Sequence, residues 1–142
     1  MANRSLRPAP GWFKAAALAA LVWELFGCTM YILHITADRA GLPPEQAAMW
    51  AATPAWSIGA YAVAVWIGLL GAILLMMRRR LAEPLLLVSL IAVVVQFSAQ
   101  FVVPELRAVT PQSALAVPIV IIVACIAIWL LARRAKREGW LR

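Results

Sequence analysis

Apolar residues in this chain gather into four long runs separated by short polar stretches, at about 15–35, 56–77, 84–103 and 114–132. An α-helix needs roughly 20 mostly apolar residues to cross the ~30 Å hydrocarbon core of a bilayer, and each run has about that length. The pattern predicts an all-α fold: a polytopic membrane protein whose four transmembrane helices form a bundle. Once the runs are removed, only loops and tails remain, so 1–142 reads as a single membrane domain. The first run is too long for the core of a signal peptide. Tyr31, His34 and Asp38 stand at and just past its end instead of a small-residue cleavage site, so it is expected to be retained.

The longest connection joins the first two spans, and it contains a short helical signal at about 43–52. Pro43-Pro44 starts it, Glu45 suits the positive end of the helix dipole, and Thr53-Pro54 stops it. Met49 and Trp50 would rest this segment on the membrane surface or on the mouth of the bundle. A surface-lying connector is the preferred expectation, a lid the alternative. In the second span Ala64, Gly68 and Ala72 recur every four residues with Gly71 beside them, a spacing that lets helix backbones approach closely. Packing within the bundle accounts for that face, and a homodimer through it is the other possibility. Pro118 lies about one turn into the fourth span. If that helix starts near Ala114, the missing donor falls among unpaired ones; a start at Pro111 predicts a slight kink.

Composition agrees with the pattern. Hydrophobic residues make up 65% of the chain and charged residues 13%, about half the charged fraction usual in soluble domains. A soluble chain this small could not bury so much apolar surface, whereas lipid solvates it. The net charge of +7 would suggest nucleic acid, but the basic residues cluster beside the apolar runs. That placement marks membrane orientation and affinity for anionic lipid headgroups, so no nucleic-acid partner is expected. Arg4, Arg7 and Lys14 precede the first span, and Arg78, Arg79 and Arg80 lie between the second and third. Arg133, Arg134, Lys136, Arg137 and Arg142 follow the fourth, which puts eleven basic residues on one side against Arg39 and Arg107 on the other. By the positive-inside rule both termini and the middle turn are cytoplasmic. Tryptophan placement fits two interfacial belts: Trp12, Trp129 and Trp140 at the cytoplasmic side, Trp50 and Trp56 at the outer one. Trp23 and Trp66 fall deeper and are expected to pack between helices.

Little in the sequence suggests catalysis. Cys28 and Cys125 sit in apolar runs without a CxxC motif and read as small buried hydrophobes. His34 is the only histidine, which argues against a histidine-rich metal site or a haem with two histidine ligands. There is no serine–histidine–acid set and no phosphate-binding glycine loop, so neither an enzyme nor a cofactor is expected. The conspicuous residue is Glu24, about 14 Å from the cytoplasmic edge and so near mid-bilayer. An ionised acid there costs several kcal/mol unless it is partnered. Its helix face continues through Gly27, Cys28 and Tyr31, while the third span carries a stripe of Ser89, Gln96 and Gln100. Counted by helical rise, the two stripes reach equal depths, which would bring Glu24 near Gln96 and Tyr31 near Gln100. Glu24, Tyr31, Ser89, Gln96 and Gln100 therefore form the candidate intramembrane polar site. Glu24 is either a proton-exchanging carboxylate in a cavity or a neutral acid holding two spans in register.

Several segments resemble a known group. They are Ala52-Thr53-Pro54-Ala55-Trp56, Gly68-Leu69-Leu70-Gly71 followed by Arg78-Arg79-Arg80, Ser89-Leu90-Ile91-Ala92 through Gln96, and the ending Gly139-Trp140-Leu141. Together they resemble a family of small four-span bacterial inner-membrane proteins of unknown function, sometimes labelled sugar transporters. That resemblance implies a bacterial inner-membrane location and a transporter-like role. The alternative is a non-catalytic accessory or assembly subunit of a larger membrane complex. A weaker resemblance, through Glu24-Leu25-Phe26-Gly27-Cys28-Thr29, is to the small multidrug exporters, and it implies proton-coupled antiport; the long first loop and basic C-terminal tail depart from that family.

Overall fold

The computed structural model describes residues 6–142; Arg4 of the amino-terminal basic cluster lies outside them. Helix α1 spans Gly11–Thr36, α2 Pro44–Ala52, α3 Ala55–Met76, α4 Ala82–Val102, α5 Pro104–Val109 and α6 Ala116–Arg137. Helical turns of 3-10 type at Arg39–Gly41 and Gln112–Leu115 join α1 to α2 and α5 to α6. No strand occurs among the described residues. Four helices, α1, α3, α4 and α6 with its preceding turn, are long and apolar enough to cross a membrane.

Proline sets most of the boundaries. Pro10, Pro43 and Pro54 stand in extended backbone immediately before α1, α2 and α3. Pro44 and Pro104 open α2 and α5, where a missing N–H leaves nothing unpaired. The α-helical part of the fourth span begins at Ala116, so Pro118 falls in its first turn, where donors are unpaired anyway. Helix α6 then continues past the apolar run to Arg137, because Arg133, Arg134, Lys136 and Arg137 are good helix formers and suit its negative end. The short α5 was not expected. Its signals are local: proline at the first position, Glu105 in the first turn and Arg107 in the last.

The spans pack in the order α1–α3–α4–α6, with α3 against both α1 and α4. The small residues of α3 make this possible. Ala64, Gly68, Gly71 and Ala72 are all buried, and a Cβ on Gly71 would stand 2.9 Å from the Leu86 side chain and 3.3 Å from its backbone nitrogen. The small face is thus occupied within the chain. Polar side chains bridge the same seam: Ser89 Oγ donates to the Ala64 carbonyl at 2.6 Å and Ser57 Oγ to the Gln96 carbonyl at 3.0 Å. On the other flank Cys28 Sγ donates to the Val65 carbonyl at 3.3 Å. In α1, Phe13, Ala17, Ala20, Glu24 and Cys28 form one buried line at helical spacing.

The first described residues, from Arg7, and the carboxyl-terminal end lie at one end of the bundle, and that end is closed. Phe13, Ala17, Leu75, Ala82, Leu86, Ala132, Ala135, Trp140 and Leu141 form its core. The chain end is pinned there by backbone bonds from Arg80 N to the Arg142 carbonyl at 2.8 Å and from Arg142 N to the Arg78 carbonyl at 2.7 Å. Arg78, in left-handed backbone at φ 58°, donates from Nε to the Trp140 carbonyl and from Nη2 to the Arg7 carbonyl. Trp140 is therefore buried beneath α1, edge-on to Trp12, instead of facing lipid. Lys136 and the Trp129 indole both reach Glu83, tying the end of α6 to the start of α4.

Candidate functional site

At the opposite end the four spans diverge around a cavity of about 800 Å³. Glu24 lies at its floor, only 5% exposed, and no described residue forms a hydrogen bond or ion pair with its carboxyl group. Its position depends on Gly68 of α3. A Cβ there would sit 2.8 Å from the Glu24 carboxyl carbon and 2.7 Å from Ser89 Oγ, so the glycine leaves the notch that admits the acid. Three helices meet at this point: α1 brings Glu24, α3 the notch and α4 the Ser89 hydroxyl. The serine is committed to the Ala64 carbonyl, which keeps it from serving as a donor to the acid.

Above the floor, Gln96 and Gln100 of α4 line the wall together with Tyr61 of α3 and Trp23 of α1. Gln100 Oε1 is enclosed and has no hydrogen-bond donor, an unusual cost for a buried polar atom. Helix α6 contributes Val117, Ile121 and Cys125. Helix α2 crosses the top, where Gln46, Met49 and Trp50 face the cavity, and it packs against α5. Trp50 is held to the end of α1 by a tilted contact with the His34 ring, with centroids 4.3 Å apart, and by the Arg39 guanidinium 4.5 Å above its ring. The connector thus lies on the mouth of the bundle.

Of the residues singled out from sequence, Glu24, Ser89, Gln96 and Gln100 line this one cavity, and Tyr31 is not among its lining residues. Tyr31 instead packs edge-on against Tyr61 and Trp66, at 5.1 and 6.4 Å between centroids. Trp66, expected between helices, is 45% exposed on the outer surface of α3. Gly68, a packing residue by its spacing, also shapes the site, which Tyr61 and a wall from α6 complete. The small-residue spacing marks Gly68, but nothing in it points to an acid on a neighbouring helix. Tyr61 carries no such signal.

Four helices long and apolar enough to cross a membrane, around a cavity with an unpartnered acid at its floor, define the class: an all-helical bundle with a buried polar site. Family models, curated proteins and solved structures contain no significant match to the chain.

Proposed function

We propose that the chain is a small transporter-like membrane protein that binds its solute in this cavity, with Glu24 as the anchoring and proton-exchanging group. The observation that carries the reading is the state of Glu24: 95% removed from solvent, unpaired, and bordering a cavity large enough for a small molecule. A carboxyl group in hydrocarbon is costly to leave without a partner, and intramembrane acids that border cavities are commonly sites of ion or solute exchange. An acid serving only to hold helices in register would be expected to bond across the seam. Here Ser57, Ser89 and Cys28 make those bonds.

The proposed setting is a bacterial inner membrane with both termini cytoplasmic. Eleven basic residues in the two tails and the middle turn against two in the other connections support that orientation. In this setting the cavity opens toward the outer half of the bilayer, and the basic clusters lie against anionic headgroups on the inner side.

The test is reconstitution of the wild-type chain and Glu24→Gln in sealed vesicles containing a pH-reporting dye. A panel of amines, polyols and sugars is added outside. At least one solute is expected to move protons through the wild type and not through the variant. An undiminished response in the variant removes the coupling role of Glu24.

A further inference from the structure

We infer that the ligand of this cavity is a membrane-dissolved amphiphile that carries a hydrogen-bond donor, and that it reaches Glu24 sideways, from the lipid, between α1 and α6. This rests on the reading of the cavity as a binding site and names the class of molecule it takes.

The route follows from which walls are closed. The terminal end is filled by the cluster around Phe13, Leu75 and Leu141. The opposite end is roofed by α2, which packs on α5 and is clamped to α1 through Trp50, His34 and Arg39. Around the bundle, α1 packs on α3, α3 on α4 and α4 on α6, whereas α1 and α6 form no such close backbone seam and meet through side chains, in the terminal plug and where Trp23 of α1 reaches Cys125 of α6. On the facing sides of α1 and α6, several cavity-lining residues are widely exposed. Phe26 is 59% exposed, Leu33 57% and Val117 59%, and all three line the cavity. Residues that both line a cavity and face outward form its rim. In a bilayer this rim meets acyl chains, because the segments carrying it are membrane-length and apolar.

The chemistry of the ligand follows from what the wall lacks. No lysine or arginine lines it. Gln100 Oε1, enclosed higher on the wall, has no donor, and the buried Glu24 carboxyl group at the floor is acceptor-only in the ionised state that its proton-exchanging role requires. A ligand bearing an ammonium or hydroxyl group satisfies Glu24, while a carboxylate or phosphate would place like charge or bare lone pairs against it. By helical rise, Ser89 at the floor and Gln100 lie about 16 Å apart along α4, so an extended hydrocarbon chain fits between floor and roof. Aromatic and aliphatic side chains supply its surroundings.

The experiment uses the full chain in lipid nanodiscs, with bound ligand counted by native mass spectrometry. Dodecylamine and dodecanol are the donor-bearing probes, dodecanoate is the acceptor-only probe, and ethanolamine carries the donor without the tail. Saturable binding of one dodecylamine or one dodecanol per chain is expected. Dodecanoate and ethanolamine should each bind at least about tenfold more weakly, the cost of one mismatched buried polar contact or of the missing tail burial. Glu24→Leu, an apolar replacement suited to a membrane interior, should weaken the donor probes about tenfold, as should narrowing the rim with Val117→Trp. Equal binding of dodecanoate, or full binding to Glu24→Leu, overturns the donor requirement. Binding of ethanolamine alone, lost in Glu24→Leu, overturns lateral access and the amphiphile but leaves Glu24 as a site. Binding of none of the four overturns this inference and weighs against the cavity as a binding site altogether.

Discussion

Gly68 and Gly71 lie three residues apart on one buried face of α3, and replacing each by alanine should have opposite consequences. At Gly71 the new Cβ would stand 2.9 Å from Leu86 Cγ and Cδ2 and 3.3 Å from the Leu86 backbone nitrogen. The side chain of Leu86 is itself buried, and the backbone atom cannot turn away, so α3 and α4 must separate by several tenths of an ångström. Overpacking of that kind costs about 1–3 kcal/mol, against a gain of about 0.5–1 kcal/mol for alanine over glycine in a helix. The net expectation for Gly71→Ala is a loss of about 1–2 kcal/mol. At Gly68 the neighbours are the ends of side chains: the Glu24 carboxyl group and Ser89 Oγ, 2.7 Å from the new carbon. Both can rotate. Ser89 would give up its bond to the Ala64 carbonyl, worth about 0.5–1.5 kcal/mol, and the helix-propensity gain nearly offsets that. Gly68→Ala should therefore unfold within about 1 kcal/mol of the wild type, yet lose ligand affinity and proton coupling because Glu24 is pushed from its notch. Equilibrium unfolding in mixed micelles by SDS titration measures the first quantity, and probe binding by native mass spectrometry measures the second. If Gly68→Ala is as destabilised as Gly71→Ala, Glu24 is fixed structurally and the account of the notch is wrong. Unchanged binding in Gly68→Ala would refute it equally.

Three other outcomes follow from the closed end of the bundle and from the orientation. Leu141→Ala should cost about 2 kcal/mol or more in SDS titration, since the leucine is 1% exposed in the plug formed by α1, α3, α4 and α6; a loss below 0.5 kcal/mol would show that the chain end is only loosely docked. Lys136→Met removes the 3.0 Å pair with Glu83, whose lysine is 43% exposed, so about 0.2–1 kcal/mol is expected, shrinking as salt is raised. For the orientation, Gln46→Cys should react with a membrane-impermeant maleimide in intact bacterial cells and Glu138→Cys only after permeabilisation. The native Cys28 and Cys125 are buried and should add little background.

The lengths of the spans were legible in the sequence to within a few residues, because apolar runs of membrane length and bracketing prolines are local signals. The extension of α6 through its basic tail and the brief α5 were less legible. There, helix propensity and a first-turn proline act without an apolar run to announce them. Equal-depth counting sets Gln96 level with Glu24 and Gln100 level with Tyr31, whereas the Glu24 carboxyl group meets Ser89 at Gly68, about two turns lower on α4. It could not reveal that α3 stands between α1 and α4, since helical rise gives height along the bundle axis and says nothing of order around it.

That distinction separates the two contributions. The sequence by itself determined that this chain is helical, how many segments can cross a bilayer, and that a single acid lies deep in one of them. These properties depend on residue type and on spacing along the chain. The neighbours of Glu24 were decided only by the tertiary structure. Gly68, a residue without a side chain, became the notch for the carboxyl group; Tyr31 turned toward Tyr61 and Trp66; and α6 supplied a cavity wall through Val117, Ile121 and Cys125. Each depends on which helix faces which. In a chain whose spans are apolar on every side, the pattern of polar and apolar positions carries little information about that choice.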